Sequence, residues 1–184
     1  VEIHKKRVNI VSITEDITMS VINFAKRQKI DVVFDAEQEE LYCDIDIDQM
    51  ERIMLNILSN AIKYNKPNGN IDVIVKDRKE KVYIDVIDSG IGIPKDRINT
   101  IFDRFERMEN KNAVIKEGSG IGLSIVKKLV DALDGEINIE SEVDKGTTVR
   151  LIFKKSKNQN GIEEVYDISQ HLEEKVNLEM SDIS

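Results

Sequence analysis

The run MLNILSNAIKY at residues 54–64 lies in the strongest helical pattern of the chain and decides how the rest is interpreted. At about 100° per residue, its apolar side chains fall on one side of the helix, which predicts a face packed into a core. Asn56, Asn60 and Lys63 fall in a separate narrow stripe, and Tyr64 borders it. A solvent-facing stripe would more often carry Glu, Lys or Arg, because Asn is a mediocre helix former. The stripe is therefore either an ordinary polar face or a face that contacts a ligand.

Two glycine-containing runs follow the helix. The run DSGIGIP at 88–94 places the carboxylate of Asp88 at the end of an apolar strand, where a partly buried acid needs a donor. The run GSGIGL at 118–123 opens a helix whose free N–H groups can face a phosphate, although it lacks the Lys-Ser/Thr of a Walker loop. Alone, each run is as consistent with a structural turn as with a site. In this order, the three runs together predict a nucleotide site.

The chemistry of these segments favours an adenine nucleotide with a magnesium ion. An ionised Asp88 accepts from the exocyclic amino group of adenine, whereas guanine places a carbonyl acceptor at that position, so we expect a preference for ATP over GTP. Gly90 and Gly92 allow a purine to approach the backbone. Mg²⁺ prefers oxygen ligands, which an asparagine amide and phosphates supply. Lys63 offers a compact positive charge to the same phosphates.

Length, charge and composition limit the kind of protein. The chain has 184 residues, a formal net charge of −8, 34% charged and 40% hydrophobic residues, which predicts a soluble domain with one core and an appendage. The acidic balance argues against nucleic-acid binding. No apolar run approaches the ~20 residues of a membrane span, and we recognise no secretory leader. We therefore expect a cytoplasmic fragment without membrane contact, whose parent protein can be membrane-anchored. Cys43, the single cysteine, is expected to be a small buried hydrophobe.

The elements expected from periodicity and turn residues alternate around antiparallel pairs. Helices are predicted over residues 14–29 with Thr14 as N-cap, 46–65, 95–102, and 120–133 ending at Gly135. Strands are predicted over 8–11, 32–34, 41–43, 71–75, 82–87, 137–139 and 147–153. The fold class is α+β, with one mixed or antiparallel sheet and helices on one face. We expect a domain over 1–155, and a polar linker and tail of unknown role over 156–184.

The motifs occur in the order typical of a known family. From about residue 9 to residue 153, the chain resembles the catalytic, ATP-binding domain of two-component sensor histidine kinases. Residues 56–65 resemble its N box, 88–94 its first glycine box and 118–123 its second. The run IFDRFER at 101–107 resembles the phenylalanine box that precedes the ATP lid. The resemblance implies a two-layer α/β sandwich with a mixed, mostly antiparallel sheet covered on one face by helices, the Bergerat ATP-binding fold.

The resemblance also implies roles for individual residues. Asn60 would be the Mg²⁺ ligand and Asp88 the partner of the adenine amino group. Asn56, Lys63 and Arg107 would act in catalysis, the first two by contacting phosphates and Arg107 from a position near the lid. The other nucleotide-binding positions border the adenine pocket or shape the lid and the phosphate contacts: Tyr64, Gly90, Gly92, Ile93, Gly118, Ser119, Gly120, Ile121, Gly122, Leu123 and Thr148. The pair Thr147-Thr148 resembles a family feature, and the sequence leaves open which hydroxyl faces the pocket.

Position 56 indicates the phosphoryl acceptor. The resemblance places the chain in the superfamily of gyrase, heat-shock chaperone, histidine kinase and mismatch-repair ATPases. Members of this superfamily that hydrolyse ATP or phosphorylate serine carry a Glu one turn before the metal-binding Asn, where it acts as a base. Asn56 cannot act as a base, and Glu51 lies on the wrong side of the helix to replace it. A neutral histidine already offers a lone pair and needs no such base. Asn56 therefore favours phosphoryl transfer to histidine.

The acceptor histidine itself is absent from this sequence. In the family it is followed by an acidic residue, Leu, a basic residue, Thr and Pro, and neither His4 nor His171 fits, so we expect both to be ordinary surface residues. The expected partners are a separate dimerisation/phosphoacceptor domain and, through it, a response regulator. The alternatives are an inactive ATP-dependent regulatory module and, less favoured, a hydrolytic ATPase of the same superfamily.

Overall fold

One mixed sheet forms the base of the molecule. The computed structural model describes residues 2–102, 119–161, 167–181 and 183, and for residues 119–122 only the backbone. The five strands of the sheet lie side by side in this order: β2 (Asp31–Ala36), β4 (Asn70–Arg78), β5 (Lys81–Asp88), β7 (Gly146–Lys154) and β6 (Glu136–Glu142). The β2–β4 pair is parallel and the other three pairs are antiparallel. The predicted mixed, mostly antiparallel sheet and both predicted hairpins are confirmed.

Two further strands and the helices complete the fold. Strands β1 (Lys6–Asn9) and β3 (Tyr42–Ile45) form a separate antiparallel pair. The helices are α1 (Ile10–Met19), α2 (Ile22–Arg27), α3 (Ile47–Lys63), α4 (Lys95–Ile98), α5 (Ser119–Ala132) and α6 (Leu172–Glu179). Helix α3 contacts α1, α5, α6 and β5, so it is the centre of the helical layer. Its N-cap is Asp46, whose carboxylate accepts from the Gln49 N–H, close to the start predicted from the sequence.

Alternation along the strands separates an apolar face from a polar one. The side chains that face the helices are 0% or 1% exposed, among them Val73, Val75, Val82, Ile84 and Val86. Successive strand residues point to opposite faces, which explains why apolar and polar residues alternate in this hairpin. The helices therefore cover one face of the sheet, as expected.

An ion cluster covers part of the opposite face. Asp85 is 1% exposed and accepts from Arg150 through Nε at 2.7 Å and Nη2 at 2.9 Å, and Lys76 Nζ lies 2.9 Å from the same carboxylate. The Arg150 guanidinium also lies over the Tyr83 ring. Burial alone would raise the pKa of Asp85, but the bonds to Arg150 and Lys76 hold it below its ordinary value.

The first helical segment differs from the prediction. Asn9 is the N-cap of α1 and accepts from the Val11 N–H at 3.1 Å, so β1 ends there instead of continuing to Val11. The prediction of Thr14 as an N-cap is wrong, because Thr14 lies inside α1 and is fully buried. The predicted single helix is two helices, interrupted at Ser20, whose hydroxyl donates to the Ile17 carbonyl and competes with the backbone ladder.

The end of α5 also has an unexpected cause. Its last turn is closed by the Gly135 N–H, which donates to the Val130 carbonyl at 2.9 Å. The left-handed residue is Asp134, with a φ of 59°, and not the glycine that follows. A Cβ at Gly135 would lie 2.8 Å from the Phe153 ring, so the glycine permits close packing on β7. Helix α4, predicted to run to Phe102, ends at Ile98.

Residues after β7 remain in contact with the body of the domain. The Ser156 N–H donates to the Tyr42 carbonyl at 2.8 Å, and the Gln159 amide bonds with both backbone groups of Tyr42. Helix α6 packs on α3, so the segment whose role the sequence leaves open lies against the core. Cys43 is fully buried, as predicted, and burial raises the pKa of its thiol to about 12. Among the described residues, no helix is both long enough and apolar enough to cross a membrane.

Candidate functional site

A cavity of about 220 Å³ lies between α3 and the strands β5 and β7. Its wall is largely apolar, with a few polar side chains. The lining residues are Ile57, Asn60, Ala61, Tyr64, Val86, Asp88, Ile91, Gly92, Ile93, Pro94, Arg97, Ile101, Leu123, Ile139, Thr147 and Val149. An apolar cleft with a small number of polar groups is the usual form of a small-molecule site. The structure thus brings residues from the N box and from both glycine runs to one cavity.

Asp88 is the buried acceptor of this cavity. Its Oδ1 atom accepts from the Gly90 N–H at 2.8 Å and from the Thr147 N–H at 3.2 Å. Neither of these bonds uses Oδ2. Burial raises the pKa of Asp88 to about 6, and the two backbone bonds oppose that rise. At neutral pH the side chain is therefore mostly an anion, with one oxygen held by the backbone and the other outside those two bonds.

The two glycines of the first glycine run, Gly90 and Gly92, are packed too closely against neighbouring backbone to carry a side chain. The Ile91 N–H donates to the Tyr64 carbonyl at 3.0 Å, which ties the run to the end of α3. A Cβ at Gly90 would lie 2.4 Å from that carbonyl. Gly92 has a φ of +75°, and a Cβ there would lie 2.1 Å from the Glu142 carbonyl oxygen. These glycines let the run pass between α3 and β6 as it borders the cavity.

The polar stripe of α3 divides among three surroundings. Asn60 lines the cavity, and its Nδ2 atom is buried with no hydrogen-bond partner in the described part of the chain. Such an unused donor at a cavity wall is expected where a ligand completes the hydrogen bonds. Asn56 does not line the cavity; its Nδ2 donates to Glu179 Oε1 at 3.1 Å. Lys63 lines a small separate groove that Ile183 also borders.

Other predicted residues lie at or near the cavity. Thr147 lines it and Thr148 does not, because Thr147 is the residue of β7 paired with Asp88 and its neighbour points to the opposite face. Tyr64, Gly92, Ile93 and Leu123 line the cavity as well. Ser119, Gly120, Ile121 and Gly122 form the first turn of α5, by backbone alone. Arg107 and Gly118 lie outside the described residues.

Arg97 and Ile101 line the cavity and are not among the residues predicted from the sequence. Both follow Pro94, in a predicted short helix whose last part overlaps the run that resembles the phenylalanine box. Neither the helix prediction nor that resemblance indicates that these two side chains face α3. The apolar wall of Val86 and Val149 could have been found from strand alternation, since both lie on the helix-facing side of the sheet.

The described residues contain no group of three or more His, Cys, Asp or Glu side chains that could hold a metal ion. A divalent ion at this cavity would therefore need oxygen ligands beyond acidic side chains. The Asn60 amide is a neutral side chain at the wall that offers such an oxygen. This donor set suits an ion that arrives with the ligand.

Residues 45–157, more than half of the chain, match the family described as histidine kinase-, DNA gyrase B-, and HSP90-like ATPase. The chain belongs to this family. The two-layer architecture described above is thus its ATP-binding fold, and the resemblance to sensor histidine kinases is confirmed by the individual relatives.

These relatives are named as sensor kinases. Sensor histidine kinase WalK of Bacillus subtilis (strain 168) is 37% identical over 126 residues, which cover 67% of this chain and 21% of WalK. Signal transduction histidine-protein kinase ArlS of Staphylococcus haemolyticus (strain JCSC1435) is 37% identical over 117 residues, 64% of this chain and 26% of ArlS. The chain thus matches about a quarter or less of each relative's length.

A solved structure shows which part of such a kinase this is. The catalytic domain of histidine kinase ThkA superposes with a TM-score of 0.72 at 25% identity, covering 83% of this chain and 96% of that domain. Over most of its length, the chain therefore has the fold of a histidine kinase catalytic domain.

Proposed function

We propose that this domain binds Mg·ATP and transfers the γ-phosphoryl group to a histidine on a separate dimerisation/phosphoacceptor domain. The observation that carries the proposal is Asp88, a buried carboxylate in an apolar cavity whose Oδ1 is held by two backbone N–H groups while Oδ2 takes neither bond. An acceptor of this kind suits the amino group of adenine and opposes the carbonyl of guanine. Family membership supports the nucleotide, and the named relatives support histidine as acceptor.

The polar groups along α3 suit the remainder of the nucleotide. Tyr64, Asn60 and Asn56 lie on successive turns, leading from the Asp88 end of the cavity toward the start of the helix. The Asn60 amide would hold Mg²⁺, which when bound supplies charge neutralisation between phosphate oxygens. The apolar wall excludes water from the base, and Lys63 and Arg107 are proposed to contact phosphates.

Lack of a base at α3 supports histidine as the acceptor. Asn56 has no carboxylate, and Glu51, the acidic residue nearest to it toward the start of α3, is fully buried and bonded to Ser169 and Lys175. A buried carboxylate with these partners cannot reach the cavity to take a proton from water or serine. A neutral imidazole brings its own lone pair. His4 and His171 are exposed, as expected for surface residues, so the acceptor would come from another domain.

The proposed partners follow because this domain would bind ATP while another domain carries the acceptor histidine. The phosphoacceptor domain presents the histidine, and a response regulator then takes the phosphoryl group from it. Because ATP is the donor, we place the domain in the cytoplasm, with the parent protein able to be anchored in the cell membrane.

Two measurements test the proposal. Calorimetry with Mg·ATP and Mg·GTP should give binding of ATP with a clear preference over GTP, and Asn60→Ala should make ATP binding nearly independent of Mg²⁺. Incubation with γ-labelled ATP and the cognate phosphoacceptor domain should give an acid-labile phosphohistidine. ATP binding without that product would favour the regulatory module instead, and rapid ATP hydrolysis by this chain alone would favour the ATPase.

A further inference from the structure

Helix α6 lies beyond the residues that match the family, yet it is built into the domain. Leu172, Val176 and Met180 are 5%, 4% and 1% exposed and belong to the main hydrophobic core. Their spacing of four residues places them on one face of the helix, which packs against α3. The position of α6 along the nucleotide-binding helix is thus set by core packing.

Polar contacts determine the register of α6 on α3. Glu51 of α3 is 0% exposed and accepts from the Ser169 N–H at 2.6 Å, the Ser169 hydroxyl at 2.6 Å and Lys175 Nζ at 2.7 Å. Lys175 also donates to Asp48 at 3.0 Å. A buried carboxylate is costly without such partners, so one docked arrangement is favoured over any sliding of α6.

This register places Glu179 beside Asn56. The Asn56 amide nitrogen donates to Glu179 Oε1 at 3.1 Å. At the other end of α3, Tyr64 lies next to Asp88 and the first glycine run, where the base is proposed to bind. With a rise of about 1.5 Å per residue, Asn60 lies roughly 6 Å and Asn56 roughly 12 Å from Tyr64 along the axis. With the base at Asp88 and the phosphates extending toward the start of α3, as proposed above, Asn56 would be the stripe residue closest to the last phosphate.

We propose that Glu179 is a specificity-determining residue that lowers the preference of the site for ATP over ADP. This inference rests on the proposed function. The Glu179 carboxylate competes with the terminal phosphate for the Asn56 N–H, and its negative charge repels that phosphate. ADP ends one phosphate earlier, nearer Asn60, so the carboxylate affects it less. The C-terminal segment thereby adds to the family fold a charge that tunes the phosphate end of the site.

The test compares Mg·ATP and Mg·ADP affinities of the full 184-residue chain with those of Glu179→Gln and Glu179→Ala. Water partly screens the repulsion between the Glu179 carboxylate and the terminal phosphate. Removal of this charge should therefore lower the Kd for ATP by about 3- to 10-fold and change the Kd for ADP by no more than about twofold. Glu179→Gln keeps an acceptor for Asn56, so we expect Glu179→Ala to have the same or the larger effect.

Glu174→Gln is the matched control, because Glu174 is an acid of the same helix whose side chain is 83% exposed and lies 3.8 Å from His171. It should leave the ATP-to-ADP affinity ratio unchanged. Thermal melts identify any loss of α6 docking, and Glu179→Gln preserves side-chain size if the alanine variant is less stable. An affinity ratio that stays constant or falls in both Glu179 variants would overturn the inference. If the chain without substitutions binds neither ATP nor ADP, it is the proposed function that fails.

Discussion

Replacement of Asp88 by Asn separates nucleotide recognition from folding. An Asn side chain has the same shape, and its amide oxygen can still accept from the Gly90 and Thr147 N–H groups that now bond to Oδ1. The amide nitrogen then takes the position of Oδ2 and presents a donor to the proposed adenine amino group. Two donors face each other, so the contact is lost while the local backbone structure is kept.

The expected loss of affinity follows from two contributions. A hydrogen bond to a charged acceptor contributes about 1.5–3 kcal/mol, and an unpaired buried donor costs about 1–3 kcal/mol more. Together they predict weaker ATP binding by about 2.5–6 kcal/mol, or roughly 10²- to 10⁴-fold in Kd. Guanine offers an acceptor at the same position, so the ratio of GTP to ATP affinity should rise.

Stability should change in the opposite direction. Burial raises the pKa of Asp88 from 3.8 to about 6, so the folded protein binds a proton more tightly than the unfolded chain does. The contribution of this group to stability is therefore present below pH ~4 and lost as the pH rises through ~6, by at most about 3 kcal/mol. Asn carries no such charge, so at pH 7.5 the variant should be at least as stable as the parent.

Calorimetry with Mg·ATP and Mg·GTP, together with urea unfolding of both proteins, measures these effects. A variant that folds normally but binds ATP within tenfold of the parent would refute the assignment of Asp88 to the adenine amino group. A variant that binds weakly and is also much less stable would indicate that the carboxylate acts mainly through its backbone bonds.

Three further expectations concern pH and stability. ATP affinity should fall by about tenfold between pH 7 and pH 5 as Asp88, with a pKa of about 6, is protonated. Asp88→Asn shares only the titration of the nucleotide and should lack this component, so parallel pH profiles of the two proteins would contradict the prediction. Lys175→Met should lower the free energy of unfolding in urea by about 2–4 kcal/mol, because Glu51 stays buried and loses its contact with the Lys175 ammonium. Adding Glu51→Leu to this variant should recover much of the loss. If it does not, the buried charge of Glu51 is not the cause. Asp85→Asn should cost about 1–3 kcal/mol of unfolding free energy at pH 7 through the lost contacts with Arg150. Because the pKa of Asp85 is lowered in the folded protein, the unsubstituted chain but not the variant should lose this stability below pH ~4. Equal losses of stability in acid would show that the ion cluster does not contribute to the stability of the fold.

Much of the fold could be predicted because its signals are local. Apolar residues recur with helical spacing in α3 and alternate in β4 and β5, so each element's buried face is written in its own sequence. The Asp46 cap is equally local. The error at Thr14 is also local, because Asn9, five residues earlier, supplies the N-cap that Thr14 was expected to supply. The helix over residues 119–132 ends before Gly135, as predicted, although Asp134 is the left-handed residue there.

The candidate site was predicted less evenly. Asn60, Asp88 and Leu123, one residue from each of the three motifs, line one cavity. The sequence could not decide between Thr147 and Thr148, because the choice depends on the register between β5 and β7. The roles of all the site residues, Lys63 and Arg107 among them, stay predictions.

The sequence by itself determined the helix with two asparagines, the acid beside the glycines and hence the ATPase family. Only the tertiary structure decided the surroundings of each asparagine: Asn60 faces the cavity, and Asn56 bonds to Glu179 from a segment more than a hundred residues away. Periodicity shows which side of a helix a residue occupies, since that depends on angles within one turn. Which distant segment covers that side depends on how the core packs, and weak periodicity in the tail gave no sign of it.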